Sequence, residues 1–571
     1  MSCTRGYFLI ALSLFIIICE AIGDRSFRNI DFPDILNSSG KHNHSSDAPL
    51  LSKYQGNDSP SQTPWGKTFD PVGRAPRTGV IRRYNFTIQR VVRAPDGATK
   101  SMLLVNGQFP GPLIEANWGD TIEVMVHNAI NDPKEGTSIH WHGLPQSETP
   151  WYDGVPSVQQ CPIAPGETFV YTFQAEVYGT SWWHSHYSAQ YIDGLLGPVV
   201  IYGPRFAEYD VDLGPIQLID YTHTEYFSYL LSVYHIPPNF LPVDNNLING
   251  RMPFNCSLIS TDIPRTSDGI SHSKFTFKTG KIHLLRLINA GGNGNQKLSI
   301  DNHKLTIIAN DFRSDVLVKA SDQATNTVWM RAELDVPCLN VTAYQPNAAA
   351  AVFYAEADTN ILPNTSGTGW ISNNCANDPL NQTVPLFRKT PTTPDITRNI
   401  DITVTTNGTG HLLFYIDNST FYTDYGYRPP VSGSFLWPDS FPSAPGIQCC
   451  QHGECYVYSP RCIKLFSSVG KWDDGQQLGP GTPDRPTFIV IQWEVDNPGV
   501  WPFHCHLIVH VSAGLFMNII ERPDLITDER IPVIMDQTCQ AWDIFAANNN
   551  VRQIDSGLKH RRDVSYLVPR E

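Results

Sequence analysis

Charged side chains are scarce in this 571-residue chain, 17% where ~25% is usual, and the charge present leans acidic, with a net −14. Such a surface repels phosphate backbones, so nucleic acid is not an expected partner. Long apolar runs are also missing. The one run, Tyr7–Cys19, is too short to cross ~30 Å of hydrocarbon. Arg5 before it and Ala21-Ile22-Gly23 after it make residues 1–23 read as a secretory signal peptide. With no later run of 18 apolar residues, the mature chain is expected to lack a membrane anchor and to be secreted and extracellular. No four-turn amphipathic helix is legible, which excludes a coiled coil and leaves short strands as the building material.

Two features that are abundant agree with export. Ten N-x-S/T sequons stand at Asn37, Asn43, Asn57, Asn85, Asn255, Asn340, Asn364, Asn381, Asn407 and Asn418, all glycosylation candidates. Cys3 and Cys19 leave with the signal, and the other ten cysteines meet an oxidising compartment in which some should pair.

Residues 24–79 open polar and without apolar periodicity and read as a flexible leader. From Tyr84 onward, runs rich in Val, Ile, Thr and aromatics alternate with Gly, Pro, Asn and Asp: YNFTIQRVV, TIEVMVHNAI, TFVYTFQAE, GPVVIYG and, later, FTFKTGKIHLLRLIN, NIDITVT, FIVIQWEV and GLFMNIIE. The pattern predicts an all-β protein of three consecutive β-sandwiches at 80–205, 210–390 and 395–550, with 551–571 as a C-terminal tail.

The chemistry lies in histidines. In a strand, residues i and i+2 share a face, so an H-x-H pair sets two imidazoles side by side, as chelation requires. His140-Trp141-His142, His184-Ser185-His186 and His504-Cys505-His506 are three such pairs, two flanked by tryptophans that would keep a site dry. His510 follows five residues after Cys505 and Leu515 ten after, the parts of a His₂Cys copper site. Zinc and a disulfide are the other readings of Cys505. No paired CxxC motifs exist for zinc, and the position between two histidines disfavours a disulfide. The remaining imidazoles form a second, multinuclear site, with Cys505 a short covalent wire between the two.

The segments HWHGLPQSETPWYDGVPSVQQCPIAPG (140–166), GTSWWHSHYSAQYIDGLLGPVVIYG (179–203), LING (247–250) and DNPGVWPFHCHLIVHVSAGL (496–515) resemble those of multicopper oxidases, specifically fungal laccases of the ascomycete type. The resemblance spans about residues 80–560 and implies three cupredoxin-like Greek-key domains holding four coppers. It implies His140 at the type 2 copper and His142, His184, His186, His504 and His506 at the type 3 pair. Cys505 and His510 would hold the type 1 copper, with Leu515 at the non-ligating axial position. Asp153 resembles the acid that assists proton delivery during O₂ reduction, and a plain turn aspartate before Gly154 is an equal reading. Cys161–Cys539 and Cys338–Cys375 match the family's disulfides, each worth ~4 kcal/mol in the chain-entropy view. Asp555-Ser556-Gly557-Leu558 before a basic run resembles a tail cut after Leu558, whose new end plugs the channel to the trinuclear site.

One segment departs. Where the family has H-P-x-H-x-H-G-H, this chain reads Gly446-Ile447-Gln448-Cys449-Cys450-Gln451-His452-Gly453. Aligning His452 with the family's third His makes it a further candidate copper ligand and puts Ile447 at the type 1 histidine and Cys450 at the type 2 histidine. A misplaced intron boundary, a decayed enzyme and substitution by Cys450 all account for this, and the abruptness of the change favours the first. If the departures are real, fewer than four coppers bind. The expected function is one-electron oxidation of small phenols coupled to reduction of O₂ to water, by a monomer. Lignin phenols, pigment precursors and host phenols all fit as substrates. A metal oxidase of the same family and a catalytically silent cupredoxin protein are the alternatives.

Overall fold

The computed structural model describes residue 50, residues 75–421 with interruptions at 206, 259–263, 267–269, 310–314, 323–326, 340, 355–356, 368, 371–374 and 376–392, then 423–425, 447–449, 455–458, 489–549 (interrupted at 494, 523–524 and 527–530) and 554–555. The signal segment, Cys450, His452 and sequons Asn37, Asn43, Asn57, Asn340 and Asn381 lie outside the described residues. Asn85, Asn255, Asn364 and Asn418 are exposed, and Asn407 is half-buried.

The fold is all-β, in three sandwiches. In the first, Lys100–Val105, Ile81–Arg93, Thr121–Asn128 and Thr168–Gln174 form one sheet in that order. Ile114–Asn117, Leu196–Tyr202, Gly179–His184 and His140–Trp141 form the other. Strand Thr121–Asn128 shows the cause: it buries Ile122, Val124 and Val126 and turns the alternate side chains outward. It runs parallel to Ile81–Arg93 and antiparallel to Thr168–Gln174, a mixed pairing that requires crossovers between sheets. The second sandwich faces a five-stranded sheet (Asn245–Ile248, Val211–Tyr221, Ile282–Asn289, Asp315–Lys319, Leu305–Ile307) against a four-stranded one (Ser273–Phe277, Asn347–Tyr354, Val328–Leu334, Gln296–Ile300). In the third, the hairpin Ile402–Thr406 and Leu412–Ile416 accompanies the sheet Ile447–Cys449, Cys455–Tyr458, Phe516–Glu521 and Gly499–His504.

The core of the first sandwich does not end at its own boundary. It continues into Ile288 and Ala290 of the second sandwich and Ile508 and Val509 of the third. Shared apolar burial of this kind seats the histidine-bearing end of the third sandwich against the first.

Two sequence expectations fail. The run FIVIQWEV has strand composition, yet residues 489–493 belong to no described ladder, although Ile489, Ile491 and Trp493 still pack on the third core. A long helix is present although none is legible in the sequence. Val533–Asn549 runs 17 residues and buries Met535, Thr538, Cys539 and Trp542 at the i, i+3, i+4, i+7 spacing. Exposed Val533 and Ile544 blur that stripe in the sequence. The helix is bound to the first sandwich by the disulfide Cys161–Cys539, and Cys338–Cys375 is formed too. At the end of the segment read as leader, Thr78 donates to the Asp120 carboxylate at 2.6 Å, and Pro76 O accepts from Gln174 Nε2. Among the described residues, no helix is long and apolar enough to cross a membrane.

Candidate metal centre

All three H-x-H pairs begin at or near a strand end. His140–Trp141 pairs with Gly179–His184 so that His140 faces His184 and Trp141 faces Trp183. Both tryptophans are fully buried while their histidine neighbours turn the other way, the alternation a pleated strand imposes. One ligand atom from each of His140, His142 and His184 falls within 4.8 Å of the other two. His186 extends the group, its ring centroid 5.5 Å from that of His140.

The third sandwich supplies two more rings. Strand Gly499–His504 ends with His504, whose Nε2 lies 3.3 Å from Nε2 of His186. The His506 ring lies 5.5 Å from His142 and 5.6 Å from His184. Six imidazoles from two sandwiches, more than 300 residues apart in sequence, therefore meet in one cluster, with His140, His184 and His504 buried and the other three half-buried. Trp182 covers it, with its ring 4.2 Å from His184 and 5.4 Å from His506.

Backbone carbonyls orient the rings. Nδ1 of His184 meets Ser185 O at 2.9 Å, and Nδ1 of His504 meets Cys505 O at 2.7 Å. A carbonyl only accepts, so each Nδ1 carries the proton and each Nε2 keeps its lone pair. Nε2 of His184 is buried with no hydrogen-bond partner among the described residues. Burial, aided by the surrounding imidazoles, pushes His142, His184 and His186 well below the usual histidine range. The same causes push His504 down to about 4 and His506 to about 3. A packed set of neutral imidazoles with inward lone pairs suits a transition metal, which explains buried donors that are otherwise costly.

Cys505 is fully buried, with Sγ 3.3 Å from Nδ1 of His510. The short helix Ile508–Ser512 brings His510 back onto the thiol, and Leu515 N donates to His510 O. Leu515 is buried in the same apolar cluster as Cys505. Thiol, imidazole and apolar neighbour fit a trigonal copper site on one side. Ile447 lies in a short strand of the same sheet, opposite Val457, and no isoleucine offers a lone pair.

At His140, Asp153 lies in a tight turn that also brings it against the ring. Gly154 has φ +90°, and a Cβ there would meet Ile139 O at 1.8 Å, so the Asp-Gly turn lies against the strand bearing His140. Nδ1 of His140 sits 2.7 Å from Asp153 O and 3.3 Å from Asp153 Oδ1. Burial alone would depress His140, but the charge and hydrogen bonds of Asp153 outweigh it and raise it. Two neighbours escaped the sequence reading. Tyr191 donates its hydroxyl to His506 O, and Gln159 donates from Nε2 to Asp153 Oδ2. Neither carries a spacing signal; both are identified only by contact.

Sequence profiles of the multicopper oxidase family match residues 87–205, 214–314 and 482–525. Laccase-2 of Botryotinia fuckeliana is 32% identical over 555 residues, covering 88% of this chain and 93% of its own. Dihydrogeodin oxidase of Aspergillus terreus is 31% identical over 579 residues, 86% of this chain and 93% of its own. The crystal structure of a laccase from Botrytis aclada shares the fold with a TM-score of 0.71 at 29% identity, over 85% of this chain and 95% of that one. Likeness along nearly the whole chain, joined to an imidazole cluster beside a buried thiol, leads to one placement: this chain belongs to the multicopper oxidase family.

Proposed function

We propose that the protein is a secreted, monomeric, laccase-like oxidase that takes electrons singly from phenols and delivers them to O₂. His140 would hold a type 2 copper, and His142, His184, His186, His504 and His506 a type 3 pair. Cys505 and His510 would hold a type 1 copper beside Leu515. Bound copper supplies one-electron acceptance from the phenol and the four-electron reduction of O₂ to water, chemistry no side chain here offers alone. The chain contributes placement. Carbonyl-tethered rings present Nε2 inward, Trp182 excludes water, and Asp153 holds hydrogen-bonding atoms at His140, where a proton can be kept.

The observation that carries this reading is Cys505 lying between His504 and His506, with its sulfur on His510 while the flanking rings join the cluster. Maturation after residue 23 and after Leu558 belongs to the same reading, with cupredoxin domains bounded near 80–205, 210–390 and 395–550. In support of a tail reaching the cluster, Ile554–Asp555 pairs with Thr423–Asp424, next to Tyr425, whose hydroxyl accepts from Ser188 N.

Ile447 favours a second reading, a cupredoxin protein with an incomplete type 1 site and little phenol oxidation. Counting copper in the purified secreted protein, then measuring O₂ uptake with a phenol and with Fe(II), separates the readings. Copper at the cluster with phenol-driven uptake is expected. Uptake driven by Fe(II) alone would point to a metal oxidase, and no bound copper would sink the proposal.

A further inference from the structure

We infer that Gln159 is a positioning residue for the His140 corner of the centre, setting that ring through Asp153 and tying it to the strand that carries His504. The inference rests on the copper-cluster reading above. Gln159 is fully buried, and both ends of its amide are used. Nε2 donates to Asp153 Oδ2 at 3.0 Å and to Val500 O at 2.8 Å, while Oε1 accepts from Val155 N at 3.3 Å.

Each bond has a separate consequence. The bond to Asp153 Oδ2 fixes the carboxylate so that Oδ1 stays 3.3 Å from Nδ1 of His140. Asp153 O accepts from Nδ1 at 2.7 Å and the Oδ1 charge stands 3.3 Å away, which together favour the ring form with the proton on Nδ1 and a bare Nε2. The bond to Val500 O crosses from the first sandwich to the third, four residues before His504 in the same strand. The bond from Val155 N closes the turn after Gly154. One side chain thus joins the turn, the carboxylate on His140 and the strand that ends in His504. A side chain of similar length without N–H groups would leave Asp153 Oδ2 and Val500 O buried without this donor.

The test uses full-length protein with Gln159→Met and Gln159→Glu, which keep side-chain length and remove the donors. Metal-free protein is titrated with Cu(II), following bound copper and the electron paramagnetic resonance of the type 2 centre. Selective ¹⁵N-histidine spectra of the metal-free protein report which nitrogen of His140 carries its proton. Both variants should bind type 2 copper about tenfold or more weakly, with altered hyperfine splitting, and the ¹⁵N resonances of His140 should shift as Asp153 moves. A structural role alone would lower Tm and leave the splitting and the nitrogen spectra of the folded fraction unchanged, and that result would overturn the inference. Wild-type copper affinity in the variants would overturn it as well. If the wild-type protein takes up no Cu(II), the functional reading fails, and the ¹⁵N comparison decides the role of Gln159 by itself. If neither variant folds, the wild-type spectrum decides, since a His140 without a proton on Nδ1 contradicts the inference.

Discussion

The imidazole cluster and the thiol site lie side by side, yet they are built on different logic. Cluster rings come from two sandwiches and are held redundantly, by carbonyls at His184 and His504, by Asp153 at His140 and by Trp182 across the group. The thiol site is local. Cys505, His510 and Leu515 come from eleven consecutive residues, and in the proposed reading Ile447 stands where a distant second imidazole is needed. A site distributed over two domains depends on their docking, whereas a local site depends on one turn of helix and one remote ligand. In the proposed reading, Ile447 affects only the thiol site, whereas Cys450 stands where the type 2 copper would take a second histidine, so the His140 corner of the cluster loses a ligand as well.

The sharpest way to break this contrast is His184→Ala. Oxygen uptake should fall to background, by orders of magnitude, while the Tm of the metal-free protein moves little and any absorption from a Cys505–copper bond persists. Loss of that absorption together with activity would show that the two sites are not separable. Next comes the departing segment. The transcript across 430–500 should encode an H-P-x-H-x-H-G-H run just before Tyr456, and protein made from it should oxidise phenols far faster than the chain carrying Ile447 and Cys450. A transcript that confirms Ile447, from a protein that is nonetheless blue and active, would overturn the ligand assignment.

Two smaller effects test the frame rather than the ligands. Replacing Cys161 and Cys539 together by Ala removes the tie between the first sandwich and the helix Val533–Asn549, and should cost about 4 kcal/mol in denaturant unfolding. Glu521 pairs with Gly499 at the start of the strand that leads to His504. Burial raises its carboxyl from 4.5 to about 8, with the Asp496 charge adding to the rise. A raised folded value means that this contribution to stability is fully present below about 4.5 and is lost as pH rises through about 8. Glu521→Gln should therefore narrow the gap in Tm between pH 5 and pH 9 relative to the wild-type protein. Equal gaps would show that the carboxyl is not protonated in the fold.

Much of the fold and site was written in local pattern. The i, i+2 rule put His140 with His142, and alternation in TIEVMVHN buried Ile122, Val124 and Val126. Ladder pairing was less legible. FIVIQWEV has strand composition but no described partner, and the helix Val533–Asn549 hid because its stripe is only partly apolar. Composition reports what a segment would bury, whereas pairing depends on what lies beside it.

By itself the sequence determined the residue types, their two-residue spacing and the covalent adjacency of Cys505 to two histidines, because these are properties of one short stretch of chain. Tertiary structure alone decided that His504 meets His186, that Asp153 faces His140 and that Gln159 bridges to Val500. Those contacts join residues as far as 341 positions apart. They form only when a core shared by the three sandwiches holds the first and third domains in register, and no local period in the chain encodes that docking.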